Sequence, residues 1–251
     1  MKFFRTLASI LVYLTLTSGL AVFAADSDLD PTFSTGSGLG NQPLALVRTA
    51  DGKFIIGGNF ETVAGVKRNK IARLNADGSN DATFTNGSGV DGNGIVWGVA
   101  VQPDGRVIIV GEFFSVNGTP RNFVARLNND GSLDTSFIPE PSERVLRVAA
   151  QADGKILILG DFQSVNGSFQ SRKLARLNSN GTLDATFTNA LGQDVGNTVM
   201  TLQPDGKLLV AGGAKKLTRL NTDGSIDATF NASGAGLTGF ISTISLDSSN
   251  N

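Results

Sequence analysis

The sequence predicts an all-β fold, a β-propeller built of four-stranded antiparallel blades, and three observations carry that expectation. A unit of about 50 residues recurs four times, and periods of this size belong to propellers, solenoids and arrays. Each unit consists of short apolar runs separated by Asp-Gly or Asn-Gly turns, which is how strands joined by tight hairpins are written. The central runs, such as Val107-Ile108-Ile109-Val110 and Ile156-Leu157-Ile158-Leu159, are apolar at consecutive positions. Strands of that kind must be covered on both faces, as they are when sheets stack on sheets.

Residues 1–24 read as a Sec-type signal peptide. Lys2 and Arg5 form the positive start, residues 6–20 the apolar stretch, and Val22-Phe23-Ala24 the small-residue cleavage site. The apolar stretch is shorter than the roughly 20 residues that span a bilayer, so no membrane span is expected once it is removed. Residues 25–251 are then the exported repeat domain, secreted or retained at the cell envelope. The chain has no Cys, so its core and strand ladders alone must hold it. Its 21 basic and 22 acidic residues include no basic run, which argues against nucleic acid as a partner.

In the second unit the four strands are expected at residues 96–101, 106–111, 123–127 and 133–137. The first turn of each unit is opened by Asp51, Asp104, Asp153 or Asp205 and followed by Gly. Pro or Ala before Asp-Gly describes a type I turn closed by a glycine bulge, a three-residue hairpin loop. That loop sets Val101 opposite Val107, Ala100 opposite Ile108 and Val99 opposite Ile109, apolar against apolar on both faces. The same rule at the second turn sets Leu127 opposite Leu133, Leu177 opposite Leu183 and Leu220 opposite Ile226. One position earlier it brings Arg73, Arg126, Arg176 and Arg219 against Asp81, Asp134, Asp184 and Asp227. These four cross-strand pairs are expected to be structural, because partly buried Arg–carboxylate pairs specify geometry more than they stabilise. Phe84, Phe137, Phe187 and Phe230 close the units and should fill the gaps between blades.

At the two ends, residues 30–33 read as an outermost strand and residues 241–246 as an innermost one. Together they would be two strands of an incomplete fifth blade, and the chain is expected to be a piece of a longer array, truncated at its C-terminus. The first three units carry a segment between their second and third strands, starting at Asn59, Glu112 and Asp161. The fourth unit lacks it. It is expected to protrude from one rim as a loop, and loops on a rigid scaffold are where binding usually resides.

Asp-Gly-Lys, Arg-Leu-Asn, Asp-Gly-Ser-Leu-Asp-Thr-Ser-Phe and Gly-Glu-Phe with Val-Asn-Gly together resemble the delta-60 repeat family, over nearly all of the chain from Leu29 to Leu246. The resemblance implies a bacterial secreted or surface protein with a propeller fold and brings no catalytic residues with it. The departures are the short fourth unit, Asn80 where the other units have Leu or Ile, and Asn180 where they have Asp.

The chain has no His. Ser-His-Asp triads, His-ligated zinc and thiol chemistry are therefore excluded. Asn-x-Asp-Gly-Ser-x-Asp superficially resembles a calcium loop, but it lacks the acidic first and twelfth ligands, and turn geometry already accounts for its Asn, Asp and Gly. No cofactor and no metal are expected, calcium being the one candidate weighed. Asn59, Glu112 and Asp161 share one position at the end of the second strand, with Ala214 in the fourth unit. Together with Trp97, the only Trp, they are the candidate binding residues of the rim. The functional expectation is a non-enzymatic module that binds a protein or glycan at the cell surface, or a structural part of a larger surface protein. The rival is an enzyme acting on extracellular polysaccharide, which would need two carboxylates about 5 to 10 Å apart in an axial pocket.

Overall fold

A computed structural model describes residues 32–169, 173–191, 199–211, 217–230 and 241–247. The signal peptide, Asp30, Ala214 and the end of the third-unit loop lie outside the described residues. Unit one comprises β1 (Pro43–Arg48), β2 (Phe54–Gly58), β3 (Thr62–Val63), β4 (Val66–Lys67) and β5 (Ile71–Leu74). Unit two repeats this order with β6 (Ile95–Val101), β7 (Val107–Glu112), β8 (Ser115–Val116), β9 (Thr119–Pro120) and β10 (Val124–Leu127). Unit three has β11 (Val145–Ala150), β12 (Ile156–Gly160) and β13 (Leu174–Leu177), and unit four has β14 (Val199–Leu202), β15 (Leu208–Ala211) and β16 (Leu217–Leu220). Each unit is an antiparallel three-stranded sheet with its second strand in the middle. Among the described residues there is no helix, and so none long and apolar enough to cross a membrane.

The hairpin loops set the register. Gly105 sits at φ +85° and its amide donates to the Gln102 carbonyl at 2.9 Å, while Gln102 N–H donates to Arg106 at 2.8 Å. Val101, Ala100 and Val99 accordingly pair with Val107, Ile108 and Ile109. A bulge interrupts the first strand of units one to three, at Leu44, Trp97 and Leu146.

The fourth segment of each unit is less regular than the strand expected for it. Leu133, Leu183 and Ile226 make single antiparallel bridges to Leu127, Leu177 and Leu220, and the ladder stops there. The reason is the next residue but one in the motif. Asp134 Oδ1 accepts from both the amide and the hydroxyl of Ser136 at 3.0 and 2.6 Å, and Asp184 and Asp227 do the same with Thr186 and Thr229. A local side-chain turn of this kind competes with a strand for the backbone. At the chain ends, Phe33 and residues 241–247 likewise lie outside any strand. Ser34 N–H nevertheless docks on the Asp77 carbonyl at 2.7 Å, and Thr201 Oγ1 donates to the Ile244 carbonyl at 3.0 Å.

The core lies between the sheets. Alternate residues of β7 serve different neighbours: Val107 and Ile109 join Ile55 and Ile71 of unit one, whereas Ile108 and Val110 join Ile156 and Ile158 of unit three. Leu157 and Leu159 of β12 then pack with Leu208 and Val210 of unit four. Two-sided burial explains the unbroken apolar runs. It also fixes how closely the sheets approach, because a Cβ at Gly57 would lie 2.6 Å from Val96 and 2.9 Å from Val99 of the next unit. Gly57→Ala is therefore expected to lower stability by about 1–3 kcal/mol through overpacking, measured by urea denaturation. An unchanged midpoint would mean that the sheets are not held at this spacing.

Candidate functional site

Four interblade junctions and one rim contain the candidate residues. Arg126 of β10 shows the junction most fully. Its side chain is 3% exposed, reaches Asp134 Oδ2 at 2.8 Å, and lies with its guanidinium carbon 4.3 Å from the centre of the Phe137 ring. Its remaining fork donates to the Ser179 carbonyl in the second turn of the next unit. Arg73 reaches Asp81 at 2.6 Å, the Phe84 ring and the Asn129 carbonyl at 2.6 Å. Arg176 reaches Asp184 at 2.8 Å, the Phe187 ring and the Thr222 carbonyl at 2.5 Å. Arg219 keeps Asp227 at 2.9 Å and the Phe230 ring but has no next-unit acceptor among the described residues. Backbone bonds run parallel to these, from Thr85 N–H to the Asp130 carbonyl and from Thr188 N–H to the Asp223 carbonyl. Arg73, Arg126 and Arg176 thus each tie their own fourth segment to the following unit.

Each Asp also receives a second cation that the sequence reading did not assign. Lys53, Lys155 and Lys207 reach Asp81, Asp184 and Asp227 at 2.7, 2.9 and 2.9 Å, and Arg106 reaches Asp134 at 3.2 Å. The signal was present in the sequence: a basic residue follows the first-turn Gly in all four units. Burial acts to raise the pKa of Asp134, but hydrogen bonds from Ser136 and the charge of Arg126 outweigh it and hold the carboxyl at about 2. The same balance holds Asp81 and Asp184 well below the usual carboxylate range. Asp227 is held there too, chiefly by Thr229 and Lys207. In the second turns, Asp77, Asp130 and Asp223 turn an oxygen onto their own backbone, accepting from the amide and hydroxyl of Ser79, Ser132 and Ser225.

The rim is more rigid than a free loop. Phe60, Phe113 and Phe162 are fully buried, and Val63, Val116 and Val165 pin the segment by bridges to Leu39, Val90 and Pro141 ahead of each sheet. Val66, Phe114 and Phe169 are the exposed large apolar residues of these segments, Phe114 at the base of its ribbon. Asn59, Glu112 and Asp161 stand at the rim ends of the second strands, and each meets a cation. Arg144 bridges two of them, reaching Asp161 Oδ2 at 2.7 Å and Glu112 Oε2 at 3.4 Å across the gap between units two and three. All three groups are between a third and a half exposed, so this bridge adds little to stability, about 0–1 kcal/mol. Asn59 instead accepts from Lys70 Nζ at 3.2 Å. Trp97 lies in the β6 bulge, half-buried, and its indole N–H is buried without an acceptor among the described residues. Arg144 and Lys70 were not legible as site residues, because Gln42 and Ile95 stand at the Arg144 position in the first two units, and Phe123 at the Lys70 position in the second.

Sheets covered on both faces, stacked in chain order and joined by one recurring junction, define a β-propeller repeat protein. The chain belongs to the family described as "Domain of unknown function (DUF5122) beta-propeller", which matches residues 49–84, 102–137, 151–187 and 203–230. Those segments end on or within a few residues of the phenylalanines that close the units. Among solved structures, a gluconolactonase from Xanthomonas campestris is 17% identical, with 82% of this chain and 65% of that chain covered and a TM-score of 0.48. A protein of unknown function from Bacteroides caccae is 14% identical, with 74% and 59% covered and a TM-score of 0.44. The extracellular domain of a one-component system from B. thetaiotaomicron is 13% identical, with 80% and 27% covered and a TM-score of 0.46. The chain therefore spans less than two thirds of the length of each of these. No curated protein matches at a significant level.

Arg126→Met removes one member of a buried pair but leaves Arg106 on Asp134. The expected cost is about 2–4 kcal/mol, whereas Arg144→Met on the exposed rim should cost less than about 1 kcal/mol. Urea denaturation of both variants checks the contrast, and equal costs would contradict it.

The acids also set a pH dependence. Their folded pKa values lie below the ordinary 3.8, so the unfolded chain takes up protons first on acidification. Their contribution is complete above about pH 5 and is lost as the pH falls through about 4 towards 2. Urea midpoints should therefore hold from neutral pH to about 5 and then drop, and drop less in Asp134→Asn. A midpoint that rises on acidification would reverse the sign.

Proposed function

We propose that this protein is an exported, non-enzymatic propeller module whose rim binds a protein or glycan at or beyond the cell envelope. One observation carries the choice over an enzyme: the two carboxylates that share the second-strand rim position, Glu112 and Asp161, also share the Arg144 guanidinium. Two carboxylates held by one guanidinium across the gap between units form an ion pair, whereas glycoside hydrolysis needs two carboxyl groups standing free on either side of a bound sugar. The exposed Phe114 and Phe169 add apolar contact area on the same rim segments. Export rests on the residue pattern of positions 1–24. In the same reading, each three-stranded sheet with its bridged fourth segment is one four-stranded blade. Phe33 and residues 241–246, the described part of the two expected end strands, are read as belonging to a fifth.

The test uses the purified chain with a panel of extracellular polysaccharides and envelope proteins, followed by co-sedimentation and by release of reducing ends. Retention of at least one polymer or envelope protein without release of reducing ends is the expected outcome. Release of reducing ends that Glu112→Gln or Asp161→Asn abolishes would establish the enzyme instead.

A further inference from the structure

Lys70 is a buried basic residue with no counter-charge among the described residues. The residue is 4% exposed, and its ammonium donates to the neutral Asn59 Oδ1 at 3.2 Å. Among the described residues no carboxylate lies within 4.0 Å of it. The other basic groups buried at this depth, Arg126 and Arg176, each hold an Asp. A buried ammonium held only by a neutral carboxamide is a place where an anion can add a charge-assisted hydrogen bond.

The ammonium also lines a cavity. Where the first unit's ribbon meets the segment leading into β6, a cleft of about 470 Å³ is walled by Lys70, Asn59, Asn41, Thr62, Glu61 and Asn93. A second cleft of about 410 Å³ shares Lys70 and Glu61 with it. Volumes of this order take a small molecule or one or two sugar rings. The wall is mainly carboxamide and hydroxyl. Asn59 and Asn41 spend their side-chain oxygens on Lys70 and on Gln42 N–H, which leaves both amide N–H groups uncommitted to protein among the described residues. Asn93 is exposed at the mouth. One fixed positive charge ringed by neutral amide donors suits a ligand with one carboxylate and several hydroxyls. Glu61 lines the same cleft as an acceptor for such hydroxyls and disfavours a polyanion.

We propose that this cleft binds an acidic sugar of the uronate class, its carboxylate on Lys70 Nζ and its hydroxyls on the carboxamides of Asn41, Asn59 and Asn93. The site gives the binding-module reading a ligand class and rests on that reading. It lies between units one and two, away from the Arg144 bridge.

Calorimetric titration of the purified chain with sodium galacturonate, galactose and sodium acetate tests it. Galacturonate is expected to bind at least tenfold more tightly than either control. Lys70→Met should weaken it at least tenfold, Lys70→Arg should retain most of the affinity, and Asn93→Ala should weaken it several-fold. Asn93 is exposed, so that variant keeps the test valid should Lys70→Met not fold. No galacturonate binding, equal binding of galactose or acetate, or full affinity in the folded Lys70→Met or Asn93→Ala protein would overturn the assignment. Polymer retention by Lys70→Met equal to wild type would remove this site while leaving the binding module standing. Loss of retention of every polymer and envelope protein by the wild-type chain would remove both.

Discussion

The structure depends on a guanidinium that belongs to two sheets at once. In each junction the arginine holds the Asp of its own unit through Nε or the terminal fork, stacks on the unit's closing Phe, and in three of the four it also donates to a carbonyl in the next unit's second turn. Apolar burial between sheets supplies most of the favourable free energy but has no direction of its own. The arginine supplies the direction. Its planar fork fixes how far one sheet lies from the next and at which turn they meet. Desolvating it would be costly alone, and the ring face, the carboxylate and the carbonyl together account for its donors. The second cation on each Asp then keeps the carboxylate ionised where burial would favour the neutral acid.

Much of this was legible because the chain repeats its own solution. The turn motifs determined the hairpin loops, the loops determined the register, and the register placed Arg126 opposite Asp134 without coordinates. What the sequence misjudged follows from local competition. Residues 133–137 alternate well enough to read as a strand, yet Asp134 two positions before Ser136 captures the backbone and stops the ladder at Leu133. The segment after β7 looks like a free loop in composition, yet Phe113 and Val116 anchor it in the core. Residues 241–246 have a strand pattern, yet residues 241–247 lie outside any strand.

The rim residues divide by whether repetition could reveal them. Asn59, Glu112 and Asp161 could be singled out because they share one position in the repeat. Arg144 and Lys70 are the cations those residues meet, and neither recurs through all the units, so only the folded arrangement brings them into view. The rim is accordingly where the four near-identical units differ. A scaffold kept uniform by its junctions can vary its charge at the ends of its second strands with little effect on stability, because those groups are exposed and their pairs weak.

Native-state hydrogen exchange at the amides of Thr85 and Thr188 tests the central claim most directly, because each donates from one unit to a carbonyl of the next. If the junctions lock the sheets into one cooperative body, these amides should be protected as strongly as Ile109 at the centre of β7. Exchange at Thr85 and Thr188 orders of magnitude faster than at Ile109 would show that the units open independently, and that the arginines do not hold them together.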